Sequence, residues 1–212
     1  MSEENFNKFI DGLADDLEPV KPLAHPLQRI LPFFIFAVMY VGALVYFVGV
    51  RHDILNKFSD PSFLIENALM VFILVTAGLS SSFLSVPDMR GQKWLIALPF
   101  TGIGVFCVWS LIRAYTEGLH MPQLHLDHCM GEGVFMAVVP LTMVLFMMKK
   151  GATTRPRLTA LMNLVFAAGL GYVGLRFTCM MDTVGHATIS HLLPYLAIGT
   201  LMGMAAKKLY KW

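Results

Sequence analysis

Apolar residues in this chain fall into long, nearly unbroken runs, not into the alternating or three-and-four-spaced patterns of a soluble domain. Six runs approach or reach the length of a bilayer: about 30–50, 64–86, 94–113, 130–148, 158–175 and 191–206. A spanning helix needs roughly 20 such residues, within a range of about 17–25. The fourth and sixth runs are short and must borrow residues from their boundaries. Pro140 interrupts the fourth, where neighbouring helices can shelter the backbone groups it frees. The pattern predicts an all-α, polytopic membrane protein with six transmembrane helices. Composition agrees, since the chain is 56% hydrophobic and only 14% charged, where a soluble domain carries roughly 25% charged residues. Mean hydropathy is +0.64.

The first 29 residues follow a different pattern. Phe6, Phe9, Ile10, Leu13 and Leu17 recur at intervals of three and four, which puts them on one face of a short amphipathic helix, while Asp11, Asp15 and Glu18 line another. Ser2 suits an N-cap, and Glu3 and Glu4 suit a helix N-terminus. Pro19 disfavours helical backbone at Glu18, so the helix should stop near Leu17, and Gly12 leaves it marginal on its own. Six acids (Glu3, Glu4, Asp11, Asp15, Asp16, Glu18) stand here against three bases. Helices that lie on a bilayer are usually rich in Lys and Arg on the polar face, and this one would be repelled by anionic headgroups. A protein partner with a basic, grooved surface is favoured over a disordered leader or a helix packed on its own bundle. Nucleic-acid-binding proteins present such surfaces, and this tail could compete with nucleic acid for one, with no direct contact to nucleic acid of its own.

The net charge of +2 says little, but its distribution orients the chain. Lys8, Lys21, Arg29, Arg90, Lys93, Lys149, Lys150, Arg155, Arg157, Lys207, Lys208 and Lys211 fall on the side of the N-terminus, and Arg51, Lys57, Arg113 and Arg176 on the other. Twelve of sixteen basic residues on one side is a positive-inside bias, which predicts both termini in the cytoplasm. Trp94, Tyr210 and Trp212 on that side, and Tyr115 on the other, suit interfacial belts. No cleavable leader is expected, because the first apolar run follows a long acidic tail and lacks a small-residue cleavage pattern. The chain thus divides into a tail, 1–29, a six-helix domain, 30–206, and a basic end, 207–212.

Two polar stretches then face outward, 120-HMPQLHLDHC-129 and 176-RFTCMMDTVGHATISH-191. Six of the seven histidines lie there or at the outer boundary, His52, His120, His125, His128, His186 and His191, together with Cys129 and Cys179. In a bacterium that side is oxidising. Three readings compete. Cys129 and Cys179 sit beside span ends at similar depth and suit a disulfide or thiol pair between the two outer hairpins. Alternatively they bind a soft or borderline metal with help from His125, His128, His186 or His191, a mixed sulfur and imidazole set that suits zinc or copper. Met121, Met130, Met180 and Met181 stand close to the outer cysteines, where thioethers could assist a soft metal. Or the stretch is a polar rim without chemistry. The thiol pair ranks first, because the spacing matches no closed zinc motif. Cys107, in the middle of the third run, reads as a small buried hydrophobe.

Several functions are disfavoured. No charged residue falls mid-span, which argues against an ion-coupled transporter; a transporter or metal-handling protein using the outer His/Cys cluster is the main alternative. There is no C-x-x-C, so a thiol oxidoreductase, or any enzyme, is not indicated. The match 169-GLGYVG-174 to a dinucleotide fingerprint lies inside an apolar helix, with no strand before it, and reads as close helix packing. Gly199 and Gly203 form a G-x-x-x-G; packing within the chain is its expected use and a homodimer face the other. No cofactor is called for apart from the metal ion considered above, and membrane lipid is the one certain surrounding.

The tail reads 13-LADDLEPVKPLAHPLQR-29, with an Asp-Asp-Leu-x-Pro-Val core and a Leu23…Pro26…Arg29 spacing into the first span; Cys129 precedes span four, Cys179 precedes span six, and the chain ends 207-KKLYKW-212. These features resemble the NrsF family, six-span bacterial negative regulators of extracytoplasmic-function (ECF) sigma factors. His120, His125 and the methionine-rich outer loops depart from that pattern. The resemblance implies an anti-sigma factor of the bacterial inner membrane, acting in transcription regulation under stress. Its tail would hold an ECF sigma factor away from core polymerase through Leu13, Asp15, Asp16, Leu17 and Val20, with Phe6, Phe9 and Ile10 on the same apolar face. An event at Cys129 and Cys179 would release it.

Overall fold

The computed structural model describes residues 3–15, 23–87, 91–118 and 128–210, the side chains of residues 3, 4, 14 and 15 excepted. These residues form helices and no strand. After the tail helix α1 (Glu3–Asp15) come α2 (Pro26–Val48), a single turn α3 (Ile54–Lys57), α4 (Pro61–Leu84), α5 (Lys93–Glu117), α6 (His128–Lys149), α7 (Pro156–Thr178), a short α8 (Val184–His186), a π turn over Ala187–Leu192, and α9 (Leu193–Leu209). Six segments are long and apolar enough to cross a membrane, the last being the continuous Val184–Leu209, so this is a multi-pass membrane protein. The short fourth and sixth runs reach full length by taking in His128 and Cys129 at one start and the stretch from Val184 at the other.

Prolines mark the helix starts. Pro26, Pro61 and Pro156 each sit in the first turn, where a missing N–H costs nothing. Asp60 caps α4 by accepting from the Ser62 N–H at 3.0 Å, and His25 caps α2 through Leu27 N–H at 3.3 Å. Gly49 and Gly118, after α2 and α5, take positive φ of 104° and 84°, which only glycine adopts easily.

Helix α7 is the central post. Of its apolar window 72% is buried, against 22–44% in the other five spans. It packs on α2, α4, α6 and α9, while α5 packs chiefly on α4 at the periphery. The glycines of 169-GLGYVG-174 make this possible. A Cβ on Gly169 would meet Leu74 Cβ of α4 at 2.6 Å, one on Gly171 would overlap the Tyr195 hydroxyl of α9, and one on Gly174 would meet Met136 Sδ of α6 at 2.5 Å. Close approach of backbones is the usual means of helix association where lipid offers no hydrophobic drive. Gly199 is used in the same way, against Leu164 of α7, whereas Gly203 faces open space. Cys107 corrects the expectation of a buried residue: it is exposed on the outer face of α5, because α5 has one packed side only.

Pro26 and Leu209 lie at one end of the bundle, here the tail end. Serines stitch it together. Ser80 donates to Leu95 C=O at 2.6 Å, Ser82 to Pro26 C=O at 2.8 Å, and Ser81 bonds to Asn163, which in turn bonds to Tyr210. Arg29 donates to Ser85 Oγ and Met147 C=O, both at 3.0 Å, tying α2 to α4 and α6. These buried polar groups find partners on neighbouring helices, as burial requires.

Overpacking the central post should show in stability. Gly169→Val is expected to destabilise by about 1–3 kcal/mol, read as a lower thermal midpoint in detergent. Gly104→Ala, with nothing within 4 Å of its added methyl, should stay within about 0.5 kcal/mol of wild type.

Candidate functional site

The opposite, distal end is built from charge. Arg51, 2% exposed, donates to both oxygens of Asp53 at 2.6 and 2.9 Å and to both of Asp182 at 3.0 and 2.9 Å. Asp182 also takes Lys57 and Arg176, each at 2.9 Å. Arg113 meets Glu66 at 2.6 Å, grips Glu117 with two bonds of 2.8 Å, and donates to Asp182 C=O at 3.0 Å. Arg176 reaches Glu66 at 3.5 Å and lies over the Phe63 ring. The Tyr172 hydroxyl bonds to the second Glu66 oxygen. All four basic residues that the charge distribution set apart, Arg51, Lys57, Arg113 and Arg176, are therefore engaged with carboxylates. Burial pushes the Asp182 carboxyl up, but hydrogen bonds from Arg51 and Lys57 and the charge of Arg176 outweigh it, and the carboxyl is held well below the usual carboxylate range.

This network pins the segment between α7 and α8, and with it the thiols. Cys129 is the second residue of α6, and Cys179 follows the end of α7 with its N–H bonded to Leu175 C=O at 2.7 Å. The two sulfurs are 3.2 Å apart. Cys179 Sγ is 3.4 Å from His186 Nε2 and accepts from Met181 N–H at 3.5 Å. The Cys129 thiol donating to Cys179 favours the Cys179 thiolate and holds its titration well below the ordinary thiol range, against burial, with help from nearby His191. Neither His191 ring nitrogen has a hydrogen bond of acceptable geometry, although the side chain is completely buried. Its ring packs edge-on against His186, centroids 5.1 Å apart, and against Tyr172 at 5.6 Å. Ligand-type atoms of Cys129, Cys179, His186 and His191 all lie within 4.8 Å of one another.

The backbone explains how two histidines five apart meet. On an α-helix, positions i and i+5 point about 140° apart. Residues 187–192 form a π turn, whose i→i+5 bonding stacks such positions. Thr183 starts this segment by capping the His186 N–H at 3.4 Å.

Four of the six metal-ligand candidates from the sequence thus come together. His128 does not join them: its side chain is 96% exposed and stands 3.6 Å from Glu132. His125 and His120 lie outside the described residues, as do Asp16, Leu17 and Val20. The side chain of Asp15, at the end of α1, is likewise not described. Phe6, Phe9, Ile10 and Leu13 are on α1, 45–61% exposed. The Glu66–Arg113–Arg176 core was missed by sequence reasoning, which counted Arg113 and Arg176 only as basic residues on the side opposite the N-terminus and gave Glu66 no role. Their shared placement near one end of three apolar runs was the available signal.

Fold and site together define a multi-pass membrane protein with a thiol–imidazole cluster braced by a buried ion network. A family model described as NrsF, negative regulator of sigma F, matches residues 13–212, and the chain belongs to this family. Its partner is accordingly a sigma factor, and its family is one of regulators. Neither the curated proteins nor the solved structures gave a match.

Asp182 sets a pH dependence. Its folded carboxyl titrates below the unfolded value near about 3.9, so its ion pairs stabilise the bundle above that pH and are lost as acid protonates it. The thermal midpoint of wild type should fall between pH 6 and pH 3 by more than that of Asp182→Asn; equal slopes would remove Asp182 from the account.

Proposed function

We propose that this protein is an anti-sigma factor of the bacterial inner membrane that sequesters an ECF-type sigma factor through α1 and the residues after it, and releases it when the distal thiol or metal site is modified. The observation that carries the proposal is the state of α1. Residues 5–13 are exposed throughout, including Phe6, Phe9, Ile10 and Leu13 on one face. A thirteen-residue helix containing Gly12 is marginal alone in water, and an unburied apolar stripe on an acidic helix supports a basic, grooved partner. The family match begins at Leu13, so the Asp-Asp-Leu-x-Pro-Val core falls inside it and the preceding turns extend the docking surface.

Polarity completes the proposal. The tail end carries twelve of sixteen basic residues, and the four at the distal end are neutralised within the fold. That supports a cytoplasmic tail and thiols facing the oxidising side. A transporter gains little from the network, because Glu66 is already charge-compensated by Arg113 and Arg176 and bonded by Tyr172, which weakens its attraction for a moving cation.

The test is binding of the full chain in nanodiscs to the ECF sigma factor encoded beside it. Leu13→Asp should weaken binding by about 30-fold or more, the roughly 2 kcal/mol of a hot-spot residue, with the thermal midpoint of the bundle unchanged. An intact tail that binds no sigma factor, or labelling that puts residues 10 and 129 in one compartment, refutes the proposal.

A further inference from the structure

We propose that Cys129, Cys179, His186 and His191 are the four ligands of a structural-type site for zinc(II), and that the resting thiols serve a metal and are not joined as a disulfide. The inference deepens the proposed function by naming what the distal site holds, and for its link to partner release it rests on that reading; the metal chemistry stands on the geometry alone.

Tetrahedral zinc, with bonds of about 2.3 Å to sulfur and about 2.0–2.1 Å to imidazole nitrogen, places its ligand atoms about 3.3–3.8 Å from one another. The sulfurs are 3.2 Å apart and Cys179 Sγ is 3.4 Å from His186 Nε2, with all four atoms inside 4.8 Å. The two printed separations already suit a shared ion, and the remaining ones, all inside 4.8 Å, close by side-chain adjustment.

His191 is the independent sign. It is 0% exposed and neither ring nitrogen makes a hydrogen bond of good geometry, although the ring lies within reach of the Cys179 sulfur. A buried polar group left unmatched is costly and rare. A disulfide would account for the two cysteines and still leave this imidazole without a well-formed partner; a fourth metal bond satisfies it. The π turn has the same logic, since it brings His186 and His191 to one face and such turns are frequent at functional sites.

Outer contacts suit the role. Ser190 Oγ lies 3.3 Å from His186 Nδ1, which leaves Nε2 directed at the cluster, and the Tyr172 ring backs His191. Each thiolate supplies an electron pair to the ion and its proton leaves to solvent. Two thiolates and one divalent cation with two neutral imidazoles sum to zero charge, which favours a buried position.

The test uses the full-length protein in nanodiscs, reduced with a phosphine, stripped with a chelator, and titrated with cobalt(II) as a spectroscopic probe. One equivalent should give the thiolate charge-transfer and intense visible bands of a tetrahedral site, and one equivalent of zinc(II) should abolish them and protect both thiols from maleimide. His191→Gln should weaken binding more than about 100-fold, beyond the 10–100-fold that outer-shell changes bring, while His128→Gln leaves it unchanged. Wild type that gives no tetrahedral spectrum, or zinc that leaves the thiols unprotected, overturns the proposal without needing any variant. So does His191→Gln titrating like wild type. Sigma-factor binding by the tail is measured on the same samples: docking that survives an absent metal site sinks this inference alone, and a metal site in a chain that docks no sigma factor sinks the proposed function alone.

Discussion

Everything at the distal end depends on two carboxylates, Asp182 and Glu66, each of which meets more than one cation. Asp182 meets Arg51, Lys57 and Arg176; Glu66 meets Arg113 and Arg176. Near hydrocarbon, an unpaired charge is expensive, and removing one partner of a buried pair leaves the other uncompensated. The network therefore acts as a set of mutual constraints. It joins the turn after α2, α4, α5, α7 and the segment leading to α8, elements far apart in sequence. It reinforces the stretch carrying Cys179, whose other anchors are backbone bonds such as Arg51 N–H to Phe177 C=O and Cys179 N–H to Leu175 C=O.

Tyr172 joins this network to the thiol–imidazole cluster. Its hydroxyl bonds to Glu66 and its ring packs on His191. One residue thus answers to charge on one side and to the cluster on the other. The position of the His191 ring, the π turn that carries it and the carboxylate–arginine core cannot be set independently.

The spans were legible because apolar length is a property of single segments, and the glycines of 169-GLGYVG-174 were legible as packing because no strand precedes them. Leu13 and the apolar stripe before it were legible for the same local reason. What escaped was relational. Arg51 and Asp182 are 131 residues apart, and nothing in either stretch announces the other. His186 and His191 look misaligned on an α-helical count, and only a π turn brings them together. The richest polar stretch, around His120 and His125, drew attention by composition, whereas among the described residues the cluster joins Cys129, at its end, to Cys179, His186 and His191 of the second outward stretch. Cys107 was read as buried because it is mid-span, but depth in the membrane is not burial in the protein, and α5 presents that face outward.

A cluster at one end and a docking helix at the other need a mechanical connection, and α9, which continues directly from the turn carrying His186 and His191, supplies one. It begins one residue after the π turn ends and runs seventeen residues, about 25 Å at 1.5 Å per residue. Tyr195 seats it against Gly171 and donates to Gly133 C=O at 2.7 Å; Gly199 seats it against Leu164. Just past its far end Tyr210 bonds to Asn163, Asn163 to Ser81, and the adjacent Ser82 to Pro26 C=O, where the tail joins α2. The contacts are close-packed glycines and buried hydrogen bonds, which tolerate discrete rearrangement better than gradual distortion. A shift of the π turn by one residue would rotate α9 about 100° relative to its ligand-bearing start, and it could not do so while keeping Tyr195, Gly199 and Tyr210 in their present seats. The root of the tail is thus held by the same helix whose other end carries the cluster.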